Sequence, residues 1–465
     1  MATDRQESWR SITPGAWFIG GTSQPPAPPP PGAPATPTQQ TPGTPQPVQA
    51  VSTNPTPLAT DEDQLLSGFR VLDLTRELGV FCTKLLADLG AEVIRIEPPT
   101  GDPLRQRGPF FKDVPHPEHS LYFMYYNTGK RSITLDLEQP EGQALFKKLV
   151  ARADVVVEGF APGYMDRIGL GYEQLRSINP GIVMAAVSPF GQTGPYKDYK
   201  ASDLVLMGMS GWMQITGEPE WPPTRQGNEQ SHFPGAQYAA LGIVAALYNR
   251  ELASGEGQYI EVSAMEALLT YYTENHPAVA WLLSQTNVGR PGVRSRMTVP
   301  MGVFPCQDGW IALGVVSAGE WESLAQWMVE ATGDDAILDD KYKGGTHARQ
   351  AYYDEIIAYV IGFLAGLTRQ ELFTEGQKRN LAVLPVATVE DMLNDPHLAV
   401  GDFWIELDHP VVGKLKYPRG AFDTDIIHPP RKAAPLVGED NEAIYCHELG
   451  LSATELGALR NEGLI

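Results

Sequence analysis

The stretch Arg225–Gln258, RQGNEQSHFPGAQYAALGIVAALYNRELASGEGQ, joins a polar lead-in to an apolar helix. A helix start leaves backbone N–H groups without partners and attracts anions or a reacting carboxylate. The side chain at this entrance is His232, and Glu229 is the nearest carboxylate. A neutral imidazole near pH 7 suits proton abstraction, whereas a carboxylate suits covalent catalysis. His232 therefore stands as a general base, as the replacement of a nucleophile, or as a residue of packing or of an interface. Glu229 stands as a nucleophile or as a solvated acid of the loop.

Two further groups bear on this chemistry. Arg105, Arg107, Lys130 and Arg131 form the most basic cluster, with Arg131 expected to hold carboxylates such as Asp136. Trp212, Trp221 and Phe233 are aromatic neighbours of the stretch, suited to a bulky acyl group or to ordinary packing.

The elements that position these residues follow from pattern. Phe69–Leu74 reads as a buried strand, Cys82–Leu89 as a helix stopped by Gly90, and Ala91–Ile96 as the next strand. Strand, helix, glycine, strand is a βαβ unit, so a parallel sheet with right-handed crossovers is expected. A helix over Gly142–Ala151 and strands over Asp154–Val157 and Ile182–Val187 continue the pattern. Next come a helix over 236–252, a strand at Tyr259–Ser263 and a helix over Ala264–Leu283. Met301–Leu313 reads as two strands joined at Asp308-Gly309, a hairpin signal, followed by helices over 319–332 and 351–378. Phe403–Leu407 is a further strand. The fold class expected is α/β: residues 67–285 as a large domain, 286–390 as a smaller α+β domain, and 391–465 returning to the first.

At 465 residues the chain has room for two or more domains. A net charge of −21 speaks against nucleic acid, which needs a concentrated basic surface. The three cysteines, Cys82, Cys306 and Cys446, lie far apart and make neither a disulfide framework nor a metal motif. A reducing cytoplasm is the expectation. The opening MATDRQESWR is too polar for a secretory signal, and no run reaches the roughly 18–20 apolar residues of a membrane span. Residues 21–60 hold 13 of the 40 prolines and no charge, so residues 1–66 read as a flexible proline-rich extension. That extension is either a solvated tail or a tether across a partner subunit.

The motif GFRVLDLTRELGVFCTKLLADLGAEVIRIEPPTGDPLR resembles the family III CoA-transferases, also called the L-carnitine dehydratase and bile acid-inducible protein F family. NPGIVMAAVSPFGQTGP, LGIVAALYNRELASGEGQYIEVSAMEALL, PMGVFPCQDGWIAL and DPHLAVGDFW extend the resemblance in family order over about 67–440. It implies a Rossmann-like large domain, a small domain and two chains interlocked as rings. The reaction implied moves CoA from an acyl-CoA, such as succinyl-CoA, to a carboxylic acid through an aspartate nucleophile. CoA and acyl-CoA are then substrates, with no permanently bound cofactor and no metal.

In this resemblance His232 occupies the aspartate position. In the racemase branch the paired histidine falls on Ser202. Leu135 and Phe160 match positions lining the adenine and pantetheine, Arg167 a nucleotide arginine, and Lys200 a family lysine. Pro98 and Glu138 stand where basic residues occur in relatives, and Val293–Met297 replaces a glycine-rich loop. Three functions are therefore expected. The chain is the non-catalytic partner in a heteromeric CoA-transferase, as in the benzylsuccinate type, with a paralogous subunit supplying the aspartate. Alternatively it is a stand-alone acyl-CoA isomerase, racemase or hydro-lyase with His232 as base. The third is a homodimeric transferase using Glu229.

Overall fold

A computed structural model gives the fold and describes residues 64–270, 278–420 and 432–465. The proline-rich extension up to residue 63, and the middle of the helix expected over 264–283, lie outside the described residues.

Six parallel strands form the central sheet. They are β1 (Arg70–Leu74), β2 (Glu92–Glu97), β3 (Arg131–Thr134), β4 (Val155–Glu158), β5 (Val183–Ser188) and β6 (Tyr259–Ser263), in the order β3-β2-β1-β4-β5-β6. Runs such as VVVE and VMAAVS are apolar on both sides, as strands covered on two faces must be. Val71, Val93, Val155 and Val183 point to the face covered by helices Val80–Asp88 and His232–Asn249. Leu72, Ile94, Val156 and Met184 point to the opposite face, against Phe146 and Leu149 of helix Pro140–Val150. Each such fully buried branched side chain contributes roughly 1.5–3 kcal/mol. The α/β class and the parallel sheet are as the sequence implies. Strand β3 was not assigned from sequence, because four residues that include Arg131, Ser132 and Thr134 carry no apolar run.

Strand β3 is the sheet's edge, and residues 440–464 cover it. Asp440 and Asn441 side chains accept the Ser132 and Thr134 N–H groups, each at 2.9 Å. Tyr445 Oη donates to Thr134 O at 2.8 Å, and the Asp136 N–H donates to Leu464 O at 2.8 Å.

A second sheet is antiparallel: β7 (Met301–Cys306), β8 (Gly309–Gly314) and β9 (Ala382–Pro385). The Asp308-Gly309 turn lies where the hairpin signal put it. Its core of Phe304, Trp321, Leu324 and Ile356 is separate from those of the large sheet. The single helix expected over 351–378 is two helices, Tyr353–Leu364 and Arg369–Lys378, and the second is bent by 112° from the helical segment Thr346–Leu364. Thr368 and Glu371 form a capping box that starts the second one. Strand β10 (Trp404–His409) pairs with β11 (Gly413–Pro418), and Leu407 and Tyr417 pack with Val80, Leu104 and Phe123.

Candidate functional site at the sheet's switch point

In an open α/β sheet, ligands bind at the carboxyl ends of the strands where the strand order reverses. Here the reversal falls between β1 and β4, so the residues after Leu74 and after Glu158 flank the crevice. A cavity of about 690 Å³ lies there, bordered by Arg76, Phe160, Lys200, Asp203 and His232. A smaller one of about 230 Å³ adjoins it, bordered by Leu135, Pro98 and Tyr164, with Arg76, Asp102 and Phe160 common to both.

The turn leaving β1 is fixed from beneath by buried charges. Asp73 accepts the Thr75 N–H at 2.9 Å, Arg95 Nη1 at 2.7 Å and Lys130 Nζ at 2.9 Å. Burial alone would raise the Asp73 pKa, but Arg95 and Lys130 overcome it and hold the carboxylate ionised. Arg95 also donates to Thr75 O at 2.8 Å and pairs with Asp102. Burial lowers Lys130 to about 8 against the pull of Asp73. Lys130 thus stabilises the floor and does not reach the cavity.

Helix His232–Asn249 begins at His232, four residues earlier than the sequence pattern placed it. Asp203, the first residue of helix Asp203–Met209, accepts the Ser231 N–H at 3.0 Å and so ties the lead-in to the cavity wall. His232 is only 4% exposed. Its Nδ1 lies 3.3 Å from Glu229 Oε2 yet makes no aligned hydrogen bond, while the ring borders the large cavity. Burial lowers its pKa, against the opposing fields of Glu229, Glu77 and Asp203. Burial thus favours the neutral imidazole. Glu229 does not border the cavity. Arg107 grips it, pairs with Glu77 at 3.1 Å and stacks 4.2 Å over the Tyr122 ring.

The residues that the resemblance assigned to CoA divide. Lys200 and Phe160 border the large cavity, and Leu135 and Phe160 the small one. Arg167 borders neither. It is 62% exposed, 3.5 Å from Glu138 and stacked 4.9 Å over the Tyr164 ring. Of the basic cluster, Arg105 pairs with Glu97 and Glu118, and Arg131 with Glu92, Asp440 and Glu448 rather than with Asp136. The aromatic trio does not assemble: Trp212 is buried beside Phe190, Trp221 is exposed, and Phe233 packs edge-on to Phe81.

Sequence reasoning passed over three polar members of the cavity wall, Arg76, Glu77 and Asp203. The signal available for the first two was the place of β1 beside the reversal. Glu158, at the end of β4, was missed as well. Burial pushes it up to about 7, with the Phe160 N–H opposing and Asp166 adding to the rise. Among the described residues no three His, Cys, Asp or Glu side chains converge on a metal site.

Comparison with known proteins agrees with this architecture. The CoA-transferase family III profile matches residues 66–441. The chain is 34% identical over 415 residues to the succinyl-CoA:(R)-benzylsuccinate CoA-transferase subunit BbsE of Thauera aromatica, covering 86% of this chain and 98% of that protein. It is 33% identical to the succinyl-CoA–D-citramalate CoA-transferase of Chloroflexus aurantiacus, covering 86% and 98%. A crystal structure of a CaiB/BaiF family protein from Brucella suis superposes with a TM-score of 0.73 at 29% identity, covering 83% of this chain and 99% of that one. The chain belongs to CoA-transferase family III.

Proposed function

We propose that this protein is the non-catalytic subunit of a heteromeric CoA-transferase that moves CoA between an acyl-CoA, such as succinyl-CoA, and a carboxylic acid. The observation that carries the reading is His232, buried and bordering the cavity, at the position that the resemblance gives to the family's carboxylate. In that chemistry a carboxylate oxygen attacks the thioester carbonyl, the C–S bond breaks and CoA thiolate leaves a mixed anhydride. The thiolate then attacks the enzyme's own carboxyl carbon, expelling the donor acid. The acceptor carboxylate reverses the sequence. An imidazole nitrogen accepts an acyl group but has no carboxyl carbon for the returning thiolate, so the cycle stops after one step.

A second family subunit carrying the aspartate supplies the missing carbon. The likeness to a protein named as a subunit supports this. So does a stripe of exposed apolar side chains along helix His232–Asn249 and the turn after it, Tyr238, Leu241, Tyr248 and Leu252. Spacings of three, seven and four residues put them on one face, as a surface built to be covered by another chain requires. The reading includes an interlocked arrangement with the small domain at 286–390, a cytoplasmic location, and Leu135, Phe160 and Lys200 as CoA contacts.

A second reading is favoured by one observation. Glu229 Oε2 lies 3.3 Å from Nδ1 without an aligned hydrogen bond, near enough that a small turn of the ring would let the carboxylate orient a general base. In it His232 removes a proton from the α-carbon of an acyl-CoA. Glu229 as nucleophile is poorly supported, since Arg107 occupies it away from the cavity wall.

The deciding experiment expresses the chain with and without a family subunit carrying the aspartate, and assays CoA exchange between succinyl-CoA and a panel of acids. Activity only in the pair is expected. Normal turnover by the chain alone refutes the companion role. Deuterium entering an acyl-CoA α-carbon, and lost in His232→Ala, establishes the base instead.

A further inference from the structure

Charge balance around the large cavity singles out one guanidinium. Four carboxylates border the cavity, and each has a cation: Glu77 with Arg107 at 3.1 Å, Asp102 with Arg95, Asp198 with Lys197 at 3.5 Å, and Asp203 with Arg225 at 3.4 Å. The remaining charged members of the wall are Arg76 and Lys200, and no described carboxylate or carbonyl accepts from either. Arg107 and Arg95 are shared with Glu229 and Asp73, so the wall as a whole is not positive. In a chain with 56 acidic residues against 35 basic ones, two cations without a described anion are nonetheless open to an anionic ligand.

Arg76 is the better placed of the two. Lys200 is exposed, whereas Arg76 is half-buried at the junction of the two cavities and stacks on Phe160, its guanidinium carbon 5.1 Å from the ring centroid. Its backbone is held on both sides. The buried Asp73–Arg95 network fixes the preceding turn. Across from it, a Cβ built on Gly159 would come within 2.7 Å of the Arg76 nitrogen, so only glycine admits this approach. A planar guanidinium steadied by stacking presents its donors in a fork that matches two adjacent anionic oxygens. Arg167, the arginine that the resemblance put at the nucleotide, already has Glu138 as its anion and lies outside both cavities.

We propose that Arg76 is the phosphate clamp of this subunit, gripping the pyrophosphate of a CoA thioester where the two cavities meet. The proposal rests on reading the cavity as a CoA site and adds to it that this chain itself binds the nucleotide. The small cavity retains Asp136, which has no described cation, so charge favours the phosphates on the Arg76 side of the junction.

The test is calorimetric titration of the full chain, wild type and the variants Arg76→Gln and Arg76→Lys, with CoA, with pantetheine and with succinate. Arg76→Gln is expected to weaken CoA by about ten- to a hundredfold, tenfold being the effect of about 1.4 kcal/mol. Arg76→Lys falls between, since an ammonium keeps the charge and loses the fork. Pantetheine, which has no pyrophosphate, keeps its affinity, and thermal unfolding is unchanged because Arg76 has no ion pair to lose. Unchanged CoA affinity in Arg76→Gln overturns the proposal, as does an equal loss for pantetheine. A loss confined to succinate assigns the guanidinium to the free acid and overturns it too. Wild-type protein that binds no CoA also overturns it, while the companion-subunit reading, decided by turnover, survives that result.

Discussion

Glu229 Oε2 stands 3.3 Å from Nδ1 of His232, and Arg107 grips the same carboxylate. The position that resembles the family's nucleophile site is thus already next to an acid. A carboxylate restored there meets a like charge, which raises the pKa of one of the two. Near pH 5, within reach of the raised pKa, His232→Asp alone should therefore be partly protonated. There the double variant His232→Asp/Glu229→Gln should form about twofold more CoA adduct from succinyl-CoA than the single one, the effect of about one pKa unit on the ionised fraction at that pH. Intact-protein mass spectrometry, with hydroxylamine to cleave the thioester, measures both. Equal adduct from the two variants would show that Glu229 has no electrostatic hold on the site.

The His232 titration itself is accessible to NMR. Burial lowers its pKa, and the Arg107 charge contributes in the same direction. Arg107→Met removes that charge and frees Glu229, so the His232 pKa should rise towards its ordinary value. A ring resonance followed across pH 4–9, with His232→Gln as the assignment control, reports the direction. A fall would mean that Glu229 leaves the ring once Arg107 is gone.

Glu158 gives a pH dependence of stability with a defined sign. Its folded pKa is about 7, above the ordinary 4.5, because burial disfavours the charged form. Below 4.5 the carboxyl is neutral in both states and costs the fold nothing. As pH rises through about 7 the folded protein must ionise it, and that advantage is lost. Glu158→Gln should match wild type at low pH and exceed it at pH 8, by on the order of 3 kcal/mol given about 1.4 kcal/mol per unit. Denaturant melts at pH 5 and pH 8 test this, and parallel loss in both proteins would contradict it.

The apolar stripe on helix His232–Asn249 is open to a similar trial. Leu241 is 63% exposed, so a charge there costs the isolated chain little, within about 0.5 kcal/mol for an ordinary surface change. Under a subunit interface the same charge is desolvated without a partner. Leu241→Lys should leave the unfolding midpoint unchanged and weaken association at least tenfold, one rung of about 1.4 kcal/mol. Mass photometry over a dilution series reads this. Undiminished association would place the interface elsewhere.

The reach of sequence reasoning differed between the fold and the site. Strands β1, β2, β4 and β5 were legible because Val, Ile and Leu runs bounded by Gly90, Asp154 and Pro189 have one reading. The Asp308-Gly309 hairpin followed from turn chemistry alone. Strand β3 escaped because its partner strand and its covering residues 440–464 are remote in sequence. The break between Leu364 and Arg369 was readable from Thr368 and Glu371, but the apolar run on either side outweighed it. In the site, His232 was visible as an oddity at a helix entrance. Arg76 was not, since its importance comes from β1 and β4 ending side by side and from each acid of the large cavity's wall having another cation. Arg167 matched a motif, yet Glu138 claims it, and a motif does not record its own neighbours.

The covering of β3 bears on how the chain is made. Until residues 440–464 have left the ribosome, the row of Ser132 and Thr134 amides and carbonyls that they satisfy is open along one border of the sheet. An uncovered border of this kind recruits strands from other chains. Nascent polypeptides stalled before Asp440 should therefore aggregate or be held by chaperones, although all six strands have already been translated.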